Sequence, residues 1–187
     1  MPKESDLGTD KWNKCFEVVN DNFYFIETER YDLDSVLKKG AELVKRKGIK
    51  CLVIDPYNKV KMAGASNMSI PDATMEYLAR IEAFAKKYDV LVIVVAHPTK
   101  MYKKDDGTID EPTMYNIKGG GEWYDASYHG LLVHRDYNNK TVKVKVLKVK
   151  FQNLGENQAE AHFKWNHASG DYIPVTEITD SLPWEVD

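Results

Sequence analysis

The sequence predicts an α/β fold with a mostly parallel sheet and a β-rich C-terminal section. Two apolar runs, Cys51 to Ile54 and Val90 to Ala96, are too short for helices and read as strands buried on both faces. Each follows a stretch of helical periodicity, and strand–helix alternation is what builds a parallel sheet. The remainder changes character toward strands, and the alternation of valine and lysine from Val142 to Lys150 suggests one buried and one exposed face.

In chain order, Phe23 to Ile26 is aromatic and β-branched and reads as a first strand. Asp34 or Asp32 can cap a helix from about Ser35 to Lys47, with Val36, Leu37, Ala41 and Val44 on one face and Gly48 as its stop. The strand Cys51 to Ile54 ends at Asp55-Pro56. A loop of small residues, Ala63 to Ser69, leads to a helix starting near Pro71, with Met75, Leu78, Ile81, Ala85 and Tyr88 as its apolar stripe. The strand Val90 to Ala96 ends at His97. His97 to Gly121 is longer than most connections, and such loops are functional or mobile. Leu131 to Val133, Thr141 to Phe151 and Ala159 to Trp165 read as strands, with turns at Tyr137 to Lys140 and Asn153 to Asn157. No repeat or second boundary interrupts residues 1–187, so the chain reads as a single domain.

Composition narrows the function. The chain has 187 residues, 43% hydrophobic and 29% charged, as expected of a globular domain with a core. A net charge of -3 excludes a global basic field, so contact with nucleic acid must come from local lysine clusters. The two cysteines, Cys15 and Cys51, lie far apart and outside any CxxC spacing, which argues against a disulfide framework or a zinc site. A polar N-terminus and the lack of a bilayer-length apolar run point to a cytoplasmic protein with no membrane partner.

In an α/β sheet, ligands bind beyond the carboxyl ends of the strands, where Asp55 and His97 stand. An apolar strand delivering one carboxylate has the form of a Walker B element, in which the carboxylate holds the magnesium ion that bridges nucleotide phosphates. Such an aspartate serves equally well as a turn former or helix cap. His97, one βα unit later, can sense a terminal phosphate or make a structural hydrogen bond. Lys100, Lys103 and Lys104, with Tyr102, could hold single-stranded phosphates while the ring stacks on a base. Asp105, Asp106, Asp110 and Glu111 close by favour solvated loop charge instead. Lys148 and Lys150, two apart on a strand, could point at a neighbouring subunit's nucleotide or simply into water. Gly119 to Gly121 permits positive φ and close backbone approach, but no Gly-Lys-Ser/Thr follows it, and no phosphate-binding loop occurs in the sequence.

Taken in order, five blocks carry a family resemblance: Cys51-Leu52-Val53-Ile54-Asp55-Pro56-Tyr57-Asn58, Val94-Val95-Ala96-His97-Pro98-Thr99-Lys100, Pro112 to Trp123, Val133-His134-Arg135-Asp136, and Leu147-Lys148-Val149-Lys150-Phe151. From about Trp12 to Tyr172 the chain resembles the second half of the RecA-like motor domain of DnaB- and Twinkle-type replicative helicases, including phage primase-helicases. The resemblance implies a three-layer RecA-like core whose phosphate-loop strand is missing. It implies Asp55 as magnesium ligand, His97 as γ-phosphate sensor, Lys100, Lys103 and Lys104 as DNA-binding residues, and Lys148 and Lys150 as residues reaching a neighbour's site in trans, Lys150 catalytically. The implied cofactors are Mg2+ and ATP or another nucleoside triphosphate. The implied partners are single-stranded DNA and further copies of the motor in a ring.

Two departures stand out. Position 150 holds lysine where the family has an arginine finger, and lysine lacks the bidentate guanidinium fork. The family's phosphate-binding loop and its water-activating glutamate lie before the strand that Phe23 to Ile26 resembles, and Glu27 is in the wrong element. Without those parts the chain is expected to be inactive alone. An uncovered sheet edge favours a fragment of a longer primase-helicase over a natural half-domain. The rival readings are a noncatalytic RecA-like module for oligomerisation or DNA binding, and an unrelated metal-dependent hydrolase built on Asp55 and His97, which would need further ligands.

Overall fold

The computed structural model describes residues 9–62, 67–102, 110–136 and 139–175. Their elements are α1 (Thr9–Asn22), α2 (Leu33–Lys47), β1 (Cys51–Ile54), α3 (Ile70–Tyr88), β2 (Leu91–Val94), α4 (Gly121–Ala126), β3 (His129–Asp136), β4 (Thr141–Val149), β5 (Glu160–Asn166) and β6 (Asp171–Pro174). β1 and β2 pair in parallel, Leu52 beside Val92 and Ile54 beside Val94. β3 to β6 form an antiparallel sheet in chain order. The fold is mixed α/β with a β-rich C-terminal section, as expected, and its parallel part is small.

Local chemistry fixes the helices. Asp32 is the N-cap of α2, its carboxylate accepting the Ser35 amide at 2.8 Å, and Gly48 closes the helix at φ 67°, where a Cβ would be strained. Asp34, the other expected cap, instead accepts Arg80 Nη1 at 2.9 Å. Ser69 caps α3 and Pro71 sits in its first turn. The face that α3 buries is Thr74, Tyr77, Leu78, Ile81 and Phe84. The expected stripe is corrected at Met75, which is 44% exposed, because Tyr77 and Phe84 turn the helix toward the sheet.

Both long helices pack on one face of β1 and β2. Leu52 meets Phe84 and Val90, while Ile54 joins Leu33, Val36, Tyr77, Leu78, Ile81, Met114 and Trp123. A Cβ on Gly40 would lie 3.2 Å from Phe84 and 3.3 Å from Leu52, so α2 approaches this closely because Gly40 has no side chain. The other face presents Cys51, Val53, Leu91 and Ile93 to solvent. No described element supplies the further helical layer expected there.

The strand expected at Phe23 to Ile26 is not formed. Phe23 and Phe25 are 62% and 88% exposed, and no described strand takes up the segment's backbone groups, which a strand requires. α1 was not foreseen, and none of its residues is buried, so no core imposes an apolar period on it.

β4 carries a register shift. Val142, Val144 and Val146 alternate with Lys143 and Lys145, but the pattern slips by one at Leu147 before Lys148, Val149 and Lys150. The slip coincides with a bulge: Gly130 pairs with Lys148 and Leu131 with Val146, leaving Leu147 unpaired. A bulge of this kind restores the phase, so all four lysines share one side of the strand.

Candidate functional site

The parallel pair places the candidate residues side by side. Past the register pair Ile54–Val94, the Val95 amide donates to the Ile54 carbonyl at 2.8 Å, and the Tyr57 amide donates to the Val95 carbonyl at 2.9 Å. Asp55 sits between these two bonds and His97 two residues beyond Val95, so both stand at the carboxyl edge of the sheet. Both are exposed. The Asp55–Pro56 peptide is cis. Among the described residues no group of three or more His, Cys, Asp and Glu could hold a metal ion. One open carboxylate fits a magnesium ion held mostly by phosphates and water, an ion that needs only one or two carboxylates from protein.

Behind Asp55, the chain turns through Tyr57 over a cavity of about 340 Å³ lined in part by Tyr57, Asn58, Thr74, Tyr77 and Trp123. The Tyr57 hydroxyl and Trp123 Nε1 both donate to the Lys118 carbonyl, at 3.2 and 3.0 Å, and their rings meet edge-on at 4.7 Å. Burial pushes the Tyr77 hydroxyl up to about 12, with Tyr57 adding to the shift. That hydroxyl has no hydrogen-bond partner among the described residues.

The long connection is closed at its base. Pro98 and Ile117 form a bridge, and the Thr99 amide donates to the Asn116 carbonyl at 2.7 Å. Residues 100–102 leave this bridge and residues 110–112 return to it, and the connection they flank is called the arm. Lys100 and Tyr102 are exposed on its outgoing limb; Lys103 and Lys104 lie outside the described residues. The glycine run has a packing role: Gly119 and Gly120 adopt φ of 106° and 63°, and a Cβ on Gly119 would collide with the Thr74 hydroxyl.

Lys148 and Lys150 each meet a tyrosine of this chain. The Lys148 ammonium donates to the Tyr124 carbonyl, lies 3.4 Å from the Asp125 carbonyl oxygen and stacks 4.6 Å above the Tyr124 ring. Desolvation, with the nearby Lys150 charge, lowers its pKa despite Asp125. Lys150 is exposed, one residue past β4, with its ammonium 4.1 Å from the Tyr128 ring centroid. Nothing in the spacing of Tyr124 and Tyr128 announces lysines 22 or more positions away, so the sequence alone assigns them no role.

No protein-family profile matches the chain. It is 30% identical over 189 residues to the Twinkle homolog protein, chloroplastic/mitochondrial, of Arabidopsis thaliana, a match covering 97% of this chain and 25% of that protein. The chain thus spans about a quarter of this curated relative's length. Its fold matches a solved DnaB-like replicative helicase studied with primase, at a TM-score of 0.66 and 15% identity, over 90% of this chain and 42% of that one. No described helix is long and apolar enough to cross a membrane.

Proposed function

The chain is a DnaB/Twinkle-type helicase domain, and from that premise we propose that it forms the C-terminal part of a ring helicase that uses a nucleoside triphosphate to move along single-stranded DNA. The observation that carries this reading is the sequence match across nearly the whole chain to a Twinkle homolog. The neighbouring strand ends bearing Asp55 and His97 support it.

In this reading Asp55 is one ligand of a magnesium ion, which when bound neutralises charge on the transferring phosphoryl group. His97, beside it, meets the terminal phosphate and begins the arm that holds DNA, so nucleotide state is felt where Lys100, Lys103 and Lys104 bind the backbone. Lys148 and Lys150 act across a subunit boundary, Lys150 as the cation that stabilises transition-state charge. These 187 residues contain no phosphate-binding loop, so in this reading the loop lies on polypeptide outside them. The bare face of Cys51, Val53, Leu91 and Ile93 is where that polypeptide would pack, since an apolar sheet face is stable only when covered.

The test compares nucleotide turnover by this chain alone and by a motor that adds the phosphate-loop segment. Turnover is expected only in the second, and Asp55→Asn should abolish it while leaving the unfolding midpoint unchanged. Turnover by the chain alone, or an unfolded Asp55→Asn protein, contradicts the reading.

A further inference from the structure

Lys143, Lys145, Glu111 and Glu160 form a charged cluster on the antiparallel sheet, with His162 Nε2 at its edge, 3.6 Å from Glu160. The Lys145 ammonium lies 3.2 Å from Glu111 and 2.9 Å from Glu160, and Lys143 pairs with Glu111 and lies 3.6 Å from Glu160. The side chains are between 19% and 31% exposed, so water screens these pairs less than it screens ordinary surface pairs. Three members are placed by the sheet: Lys143 and Lys145 alternate onto one side of β4, and Glu160 is the register partner of Lys145. The fourth, Glu111, comes from a position 34 residues away on the returning limb of the arm.

Glu111 therefore ties the arm to β4 and β5, while the bridge at Pro98 and Ile117 closes the arm's base. β4 then runs on through the bulge at Leu147, which keeps Lys148 and Lys150 on the side of the tied lysines. We propose that Glu111 is a positioning residue that locks the limb at residues 110–118 onto β4, so that a shift at the strand end bearing Lys148 and Lys150 moves that limb with it. The coupling rests on the functional reading above; the lock itself does not. Removing the Glu111 charge leaves two like-charged lysines sharing Glu160 alone, which favours release of the arm.

The experiment follows amide hydrogen exchange in the 187-residue chain over residues 110–118. Glu111→Gln should speed exchange there roughly tenfold, the size expected on losing charge-assisted hydrogen bonds, with β1 and β2 unchanged. Inverting all four charges together (Glu111→Lys, Glu160→Lys, Lys143→Glu, Lys145→Glu) should restore protection. Unchanged exchange in Glu111→Gln, or failure of the inverted cluster to protect the arm, overturns the lock. In the motor containing the phosphate loop, Glu111→Gln should remove the dependence of single-stranded DNA affinity on bound nucleotide. A freed arm with nucleotide dependence intact overturns the coupling. An unsubstituted motor that binds no single-stranded DNA overturns the functional reading and leaves the exchange result to judge the lock.

Discussion

Lys148 turns inward onto Tyr124, donating to that residue's carbonyl while its ammonium sits 4.6 Å from the same ring's centroid. To act on a neighbouring subunit it must leave these partners, so its reach and its contribution to the fold compete. Lys148→Ala should therefore destabilise the isolated chain, by about 1 kcal/mol for a partly exposed charge-assisted bond. Thermal unfolding should register this as a fall of roughly 2–4 °C in a chain of this size. An unchanged Tm means that the contact with Tyr124 carries no weight.

The arm gives a prediction in salt. Replacing Lys100, Lys103 and Lys104 with alanine in the phosphate-loop-containing motor should flatten the dependence of single-stranded DNA affinity on ionic strength. If all three contact phosphates, the log–log slope falls by about 2, at roughly 0.7 per contact. A slope that does not change assigns these lysines to solvent.

Acid should weaken the Glu111 cluster. Burial pushes the Glu111 carboxyl up, but hydrogen bonds and charge from Lys143 and Lys145 outweigh it and leave the group below its ordinary 4.5. Lys145 does the same to Glu160. A carboxylate held below its unfolded value adds stability above that value and loses it as pH falls through the folded one. The urea midpoint should thus drop between about pH 5 and about pH 3, and drop less in a Glu111→Gln, Glu160→Gln double variant. The lysines are raised above 10.5, Lys143 chiefly by Glu111 and Lys145 by Glu160 and Glu111, so their share is lost instead as pH climbs through their folded values. Equal acid sensitivity in the double variant and the parent removes the cluster as its source.

What could be read in the sequence follows from which interactions are local. Asp32, Gly48, Ser69 and Pro71 act within a few residues of themselves, and α2 and α3 accordingly begin and end near their expected positions. β1 and β2 are continuous apolar runs, and their ends delivered Asp55 and His97 to one edge. Phe23 to Ile26 has strand composition, but a strand needs a partner that no composition reveals. α1 buries nothing, so its period carried no signal. The partners of the site residues were illegible for the same reason. Glu111 reaches Lys145 across 34 residues, and Lys148 reaches Tyr124 across 24, contacts that exist only once the sheet and α4 are assembled.

Subunit mixing in the motor containing the phosphate loop tests most directly whether it is an NTP-driven ring whose sites are shared between subunits. Lys150→Ala alone should leave nucleotide binding nearly intact and cut turnover steeply, fingers of this kind contributing on the order of 10³ to 10⁵ in rate. Rings mixing Lys150→Ala subunits with Asp55→Asn subunits should regain turnover. Some boundaries then join an intact Asp55 from one chain to an intact Lys150 from the next. Normal turnover by Lys150→Ala, or mixed rings no more active than either variant alone, would contradict the account.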